Sequence, residues 1–347
     1  MTLLNVLIVV LATLIGLLVL LWLLLRFALP WWLKRKIAAM ADMPQGGGIA
    51  ARITLMPIDR PWQKMQTAER IGQMLAIGFE EIGRYAVPEM PGMQLWAGHH
   101  PEDRVAAVIY DHNVMPVFYD IVRAHVDYST CTVSTNPIHD PANVPPESRC
   151  IADPSLEPDA ALVALRAQPT TGEQMPLDAS NFEPVFLELY ARSIDHILAR
   201  RMPDAEHMRQ VGERVSEATG QPVPQLDDRQ MRMAVDMERQ SRLSALQDAI
   251  VDRFLQSGQI DAREWERVRD RVAVVHDLLS REDAADLARG EADDDATEAL
   301  VAAVLAEPLS AFETFEKISA AVPVQHRPRV LGEVDHPLYA QVLLLGY

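Results

Sequence analysis

Residues Leu3 to Leu25 form an apolar run without one charged side chain. As a helix its 23 residues would reach roughly 35 Å, enough for a bilayer core of about 30 Å. With no water there to satisfy open backbone groups, a self-bonded helix is the favoured crossing. Only Asn5, Thr13 and Gly16 depart from an apolar or Ala composition. Residues 1–36 are therefore read as a single transmembrane helix with its basic flank, an uncleaved signal-anchor. A cleaved secretory signal would need a basic start and a shorter core, and this run has neither.

The flanks set the direction. No Lys or Arg precedes the run, whereas Arg26, Lys34, Arg35 and Lys36 follow it. The positive-inside bias predicts that the chain beyond them is cytoplasmic, which makes this a single-pass protein of the cell membrane. Trp31 and Trp32 sit beside the basic cluster, where indole rings favour the headgroup level. Pro30 ends or kinks the helix. Ala12 and Gly16 form a small-xxx-small pair through which two anchors can pack, the one hint of a homo-oligomer.

Composition bounds what hangs from the anchor. About 300 residues are long enough for two domains. A net charge of -17 with 49% hydrophobic residues describes a folded acidic body, not a disordered tail. That balance excludes nucleic acid as the natural partner, because phosphate binding needs clustered Lys and Arg. The expected partners are the bilayer, through residues 3–25, and other proteins. Two cysteines, Cys131 and Cys150, are too few for a disulfide scaffold and match no zinc spacing. With the reverse topology they would be the one conceivable disulfide.

Met43 to Gly48 closes a flexible linker over 37–48. Its three glycines follow no strand and precede no Lys-Ser/Thr, so they are no phosphate loop. The expected fold class is α+β, with a mostly antiparallel sheet and packed helices over 49–220. Ile49 to Leu55 alternates as a strand, and an amphipathic helix is expected from about Thr67 to Tyr85. Met93 to Gly98 and Arg104 to Tyr110 read as an antiparallel pair. Val117 to Ser134 reads as one or two strands, with Phe118, Val122, Ala124, Val126 and Tyr128 on one parity. A Pro-rich excursion follows (136–180), with a short helix near Asp159 to Arg166. The next helix is expected to open on the capping pattern Ser180 and Glu183.

Gly220 to Pro224 marks the second boundary. Residues 221–347 read as an acidic, all-helical domain. Leu243, Leu246, Ile250 and Phe254 form one stripe, and Trp265, Val268, Val272, Val275 and Leu279 form another, giving a helical hairpin. Asp261 is its N-cap. Glu291 to Glu298 lacks the spacing and glycine of a calcium loop. Further helices are expected near Ala296–Ala306 and Ala311–Ala321, and an apolar tail at Tyr339 to Leu345.

Five of the ten histidines, His99, His100, His112, His125 and His139, fall within 41 residues. Neither HExxH nor paired CxxC is present, so no metal or other cofactor is expected; His99, His100 and His112 are the candidates that remain. Cys131 would need an adjacent base to act as a nucleophile. Nucleophile-elbow, Walker A and dinucleotide signatures are all absent. The expected role is therefore non-catalytic, an interaction or scaffold protein at the inner membrane face. Two alternatives stand beside it: a tethered enzyme with a site among the turns of residues 99–139, and a small-ligand sensor.

Overall fold

A computed structural model of the chain describes residues 50–346 except 171, 201, 221, 223–225 and 293. The expected membrane helix, its interface residues Arg26, Trp31, Trp32, Lys34, Arg35 and Lys36, and the linker lie outside the described residues. Among the described residues no helix is long and apolar enough to cross a membrane. The chain divides after Gly48, and Ile49–Tyr347 cluster as one unit. The architecture of that unit is α+β.

The first half is a meander. After β1 (Met56–Pro57) and helix α1 (Met65–Ala76) come β2 (Glu80–Ala86), β3 (Met93–His100), β4 (Val105–His112), β5 (Phe118–His125) and β6 (Thr130–Ser134). These pair antiparallel in chain order, while β7 (Arg149–Ala152) joins β6 in parallel. The short β8 (Gln174–Met175) pairs the end of β5 beyond Val122, where β4 stops. The 93–110 pair is as expected, with His99 opposite Ala106. The stretch 117–134 is two strands, turned at Tyr128, which takes a positive φ of 65°.

Helices cover both faces of the sheet. Helices α1 and α2 (Pro158–Arg166) bury Met74, Leu162 and Leu165 against Trp96, Ile109 and Ile121. On the other face α3 (Phe182–Ala199) sets Phe182 and Val185 on Leu95, Ala106, Val108 and Ala124. Strand alternation sends odd and even residues to opposite faces, so both parities of β4 are apolar.

Several expectations are corrected here. The strand expected at 49–55 does not form over its described residues, 50–55; β1 begins just after it. The helix expected to reach Tyr85 stops at Ala76, because Gly78 adopts φ +100° and lies under the His100 ring. A side chain there would be strained and would meet His100 Nε2 at 3.0 Å. The Ser180–Glu183 box does not form; α3 begins after Asn181, and the Ser180 hydroxyl donates to Asp178 Oδ1 at 2.6 Å.

The second half is not all-helical. Helix α4 (Ala205–Thr219) ends at Gly220 in the left-handed region, and α5 (Asp228–Gln256) carries the expected stripe. Asp261 does cap α6 (Ala262–Val268), accepting from the backbone N–H groups of Arg263 and Glu264. The run then leaves the helix: β9 (Val272–His276) pairs β11 (Ala340–Leu344), which also pairs β10 (Arg329–Val334). Valines at 272, 274 and 275 favour the pleated state once a strand partner, Ala340–Leu344, arrives from far downstream. The helical hairpin is therefore replaced by a three-stranded antiparallel sheet. One face of it packs Val274 and Val342 on α5, through Leu246, Ala249 and Phe254. The other face packs Val275 and Leu343 on α7 (Arg281–Arg289), α8 (Asp295–Leu305) and α9 (Ala311–Ala321). The last two helices fall where expected.

Packing runs across residue 220. Ile194 and Leu198 of α3 belong to the same apolar cluster as α5 and the small sheet. At that joint Asp195, 3% exposed, accepts from Arg52 Nη1 at 2.8 Å and Arg253 Nε at 2.9 Å. Arg253 also pairs with Glu188 at 3.0 Å. The buried His336 lies 3.8 Å from Asp195, and burial holds its imidazole below its usual pKa.

Candidate functional site

Where α3 lifts away from the sheet, a cleft of ≈ 430 Å³ opens. Its floor follows from strand register. Asp120 faces Ser134, and Val122 faces Thr132, across the β5–β6 pair. Tyr110 shares that face from β4, and Cys150 pairs with Thr132 from β7. Farther along, the same parity is apolar (Ala124, Val108 and Ala106) and sits under Phe182 and Val185. A sheet face that should continue in apolar residues instead presents hydroxyls and a carboxyl. The opposite wall is α3, with Phe186, Leu189 and Tyr190.

Asp120 dominates the chemistry. Its Oδ1 is sealed from solvent and has no hydrogen-bond partner. Burial raises its pKa above the carboxylate range, and the hydroxyls of Ser134 and Tyr110 oppose that shift. The Tyr110 phenol is raised well above its ordinary range, by burial first and by Asp120 second. Burial alone would make both groups prefer their neutral forms. At the rim, Arg192 lies over the Tyr128 ring at 4.6 Å and is held by Glu188 at 2.8 Å.

Of the residues singled out in the sequence, only His139 and Cys150 reach this cleft. Cys150 Sγ is 4.0 Å from His139 Nδ1, yet burial pushes the thiol up to about 12 and His139 below its ordinary value. That is the opposite of an activated thiolate pair. Cys131 points to the other face, into the apolar core, and both cysteines are free. Strand parity alone keeps them from bridging.

The histidine turns do not converge. His99 and His100 end β3, while His112 lies opposite Met93 at the far end of the hairpin, roughly 20 Å away at strand spacing. Each has a local task. His99 pairs with Glu80 across strands at 3.3 Å. His100 contacts the Ile77 carbonyl at 3.1 Å and the Asp103 carboxylate at 3.1 Å. His112 Nδ1 accepts from the Met115 N–H at 3.3 Å. His125 contacts the Ser129 hydroxyl at 3.1 Å. Among the described residues no three metal-ligating side chains come together.

The floor residues Asp120, Thr132, Ser134 and Tyr110 were not candidates from sequence. Their signal was present: a carboxylate inside the apolar parity Phe118–Val122–Ala124, and hydroxyls alternating through Thr130, Thr132 and Ser134. A scan against protein-family models matches none. Searches of curated proteins and of solved structures return no similar chain.

Proposed function

We propose that this protein is a membrane-anchored receptor for a small molecule, which binds between the large sheet and α3. The observation that carries the reading is the polar floor of the cleft, built around Asp120 on a sheet face that is otherwise apolar. A concave, largely apolar site with a few convergent polar groups, one of them strongly perturbed, is what small-ligand recognition requires. In this reading residues 3–25 tether the receptor to the bilayer and the basic flank holds the cleft at the cytoplasmic face. Protease digestion of the body in inverted but not right-side-out vesicles is the expected outcome.

The binding test uses the full chain in detergent. A small-molecule extract of the host cell should raise the melting temperature of the wild type and leave Ser193→Trp, which fills the cleft from α3, unmoved. Equal shifts in both proteins, or none in either, overturn the reading.

Recruitment of other proteins is the second reading. In its favour, Met233 and Met237 are 55% and 67% exposed, one turn apart on α5. Replacing both with Ser should strip proteins that co-purify with the wild type; an unchanged set removes this reading.

A further inference from the structure

The charge surroundings of Asp120 narrow the ligand. The partly or fully buried carboxylates of α3, and Asp111 on β4, have a cation or backbone donors in place. Asp195 holds Arg52 and Arg253, Glu188 holds Arg253 and Arg192, and Asp111 Oδ2 accepts from the Gln63 N–H at 2.7 Å. Asp120 takes part in no ion pair among the described residues, and the groups that act on it are hydroxyls. A half-buried carboxyl with one sealed, unpartnered oxygen and no counter-charge costs free energy that a cationic guest would return.

The rest of the cleft suits such a guest. An ammonium group has three N–H donors and no acceptor. Three oxygen-bearing groups gather at the floor: the Asp120 carboxyl and the hydroxyls of Tyr110 and Ser134. The rings of Tyr110, Phe186 and Tyr190 line the same space and offer faces that attract a cation. An anionic guest would meet the carboxyl on the floor; of the two guanidiniums that line the cleft, Arg192 is engaged by Glu188 and Arg149 is exposed on β7.

Building on the small-molecule reading, we infer that the cleft takes an amine: an ammonium group against Asp120, carried on a small apolar or aromatic body that lies along Phe186 and Leu189. At a pH low enough for the upward-shifted Asp120 carboxyl to be protonated, binding of the ammonium ionises it, and one proton passes from Oδ to solvent. The titratable groups that line the cleft with Asp120 are Tyr110 from β4, Tyr128 from the β5–β6 turn, Tyr190 and Arg192 from α3, His139, Asp140 and Glu147 from the segment before β7, and Arg149 and Cys150 from β7. Tyr110, Tyr190 and Cys150 are all pushed upward by burial and stay neutral near pH 7.

The test is calorimetry on the full chain in detergent with three probes of one shape: 2-phenylethylamine, 2-phenylethanol and phenylacetate. At neutral pH the amine should bind about tenfold or more tightly than the other two, the scale of one charge-assisted hydrogen bond. Asp120→Asn should cost the amine about that factor and leave the alcohol within about twofold. In the wild type at mildly acid pH, buffers of different ionisation heat should reveal proton release with the amine and none with the alcohol. This second measurement decides the matter if Asp120→Asn fails to fold. Equal binding of amine and alcohol, tighter binding of phenylacetate, or no proton release overturns the inference. If no probe binds while the cell extract still stabilises the wild type and not Ser193→Trp, the amine falls and the receptor reading stands. If the extract also fails, both fall.

Discussion

Asp195 is buried on α3 and Asp120 is half-buried, with its Oδ1 sealed, on the strand that α3 overhangs; their partners differ. Asp195 is gripped by two guanidiniums from distant parts of the chain, Arg52 and Arg253. Asp120 is hydrogen-bonded by hydroxyls and takes part in no ion pair among the described residues. Partners already in place make the first a fastening between regions; a missing partner makes the second a receptacle. Burial of an acidic group does not by itself say which it is, and the inventory of nearby cations does.

The sharpest way to break this comparison is to remove each carboxylate. Asp195→Ala removes the buried carboxylate shared by Arg52 and Arg253, which keep Asp252 and Glu188, and should lower unfolding free energy by about 1.5–3 kcal/mol, read by chemical denaturation. A loss under about 1 kcal/mol would show the joint to be solvated after all.

A second contrast lies in acid response. His276 is buried on β9, and burial lowers its pKa to about 4. The unfolded chain then binds a proton that the folded chain refuses, so stability falls as pH drops from about 6.5 towards 4, by up to about 3 kcal/mol. His276→Asn should flatten that limb. Asp120 works with the opposite sign. Its folded pKa is raised, so its contribution is present at acid pH and is lost as pH climbs above the ordinary carboxylate value.

From that sign follows a smaller effect. Asp120→Asn should leave the empty protein as stable as the wild type, or about 1 kcal/mol more stable, at neutral pH. A large destabilisation would make Asp120 a fastening like Asp195. The smallest expected signal is chemical: with its thiol held near 12, Cys150 should alkylate about a hundredfold or more slowly than a free cysteine at mildly alkaline pH.

What could be read from the sequence follows how local the determining contacts are. The β3–β4 hairpin, the Asp261 cap and the helix at Ala311–Ala321 rest on neighbours within a few residues, and they fall where the pattern puts them. Strand β2 did not, because Phe79 and Ile82 extend an i, i+3 stripe begun at Ile71, and only the left-handed turn at Gly78 breaks it. Strand β9 was hidden for a different reason. Val268, Val272 and Val275 satisfy a helical spacing, and the strand exists only because Ala340–Leu344 pairs with it. Strand β7 is also held by a parallel partner that no local pattern reveals. The site is poorly legible because its informative residues are not the clustered histidines but a carboxylate and hydroxyls at positions where a covered strand should be apolar.

Helix α3 serves two cores at once, with Phe182 and Val185 in the larger sheet and Ile194 and Leu198 beneath α5. The two halves of this body are consequently not separable goods. A fragment ending at Gly220 would expose the second half of α3 and leave Asp195 without Arg253, so it should aggregate when expressed alone. Recombination that swaps one half for a foreign counterpart would have to bring a matching half-helix with it. Inheritance of the cleft and of the small sheet is therefore tied together through a single rod of eighteen residues.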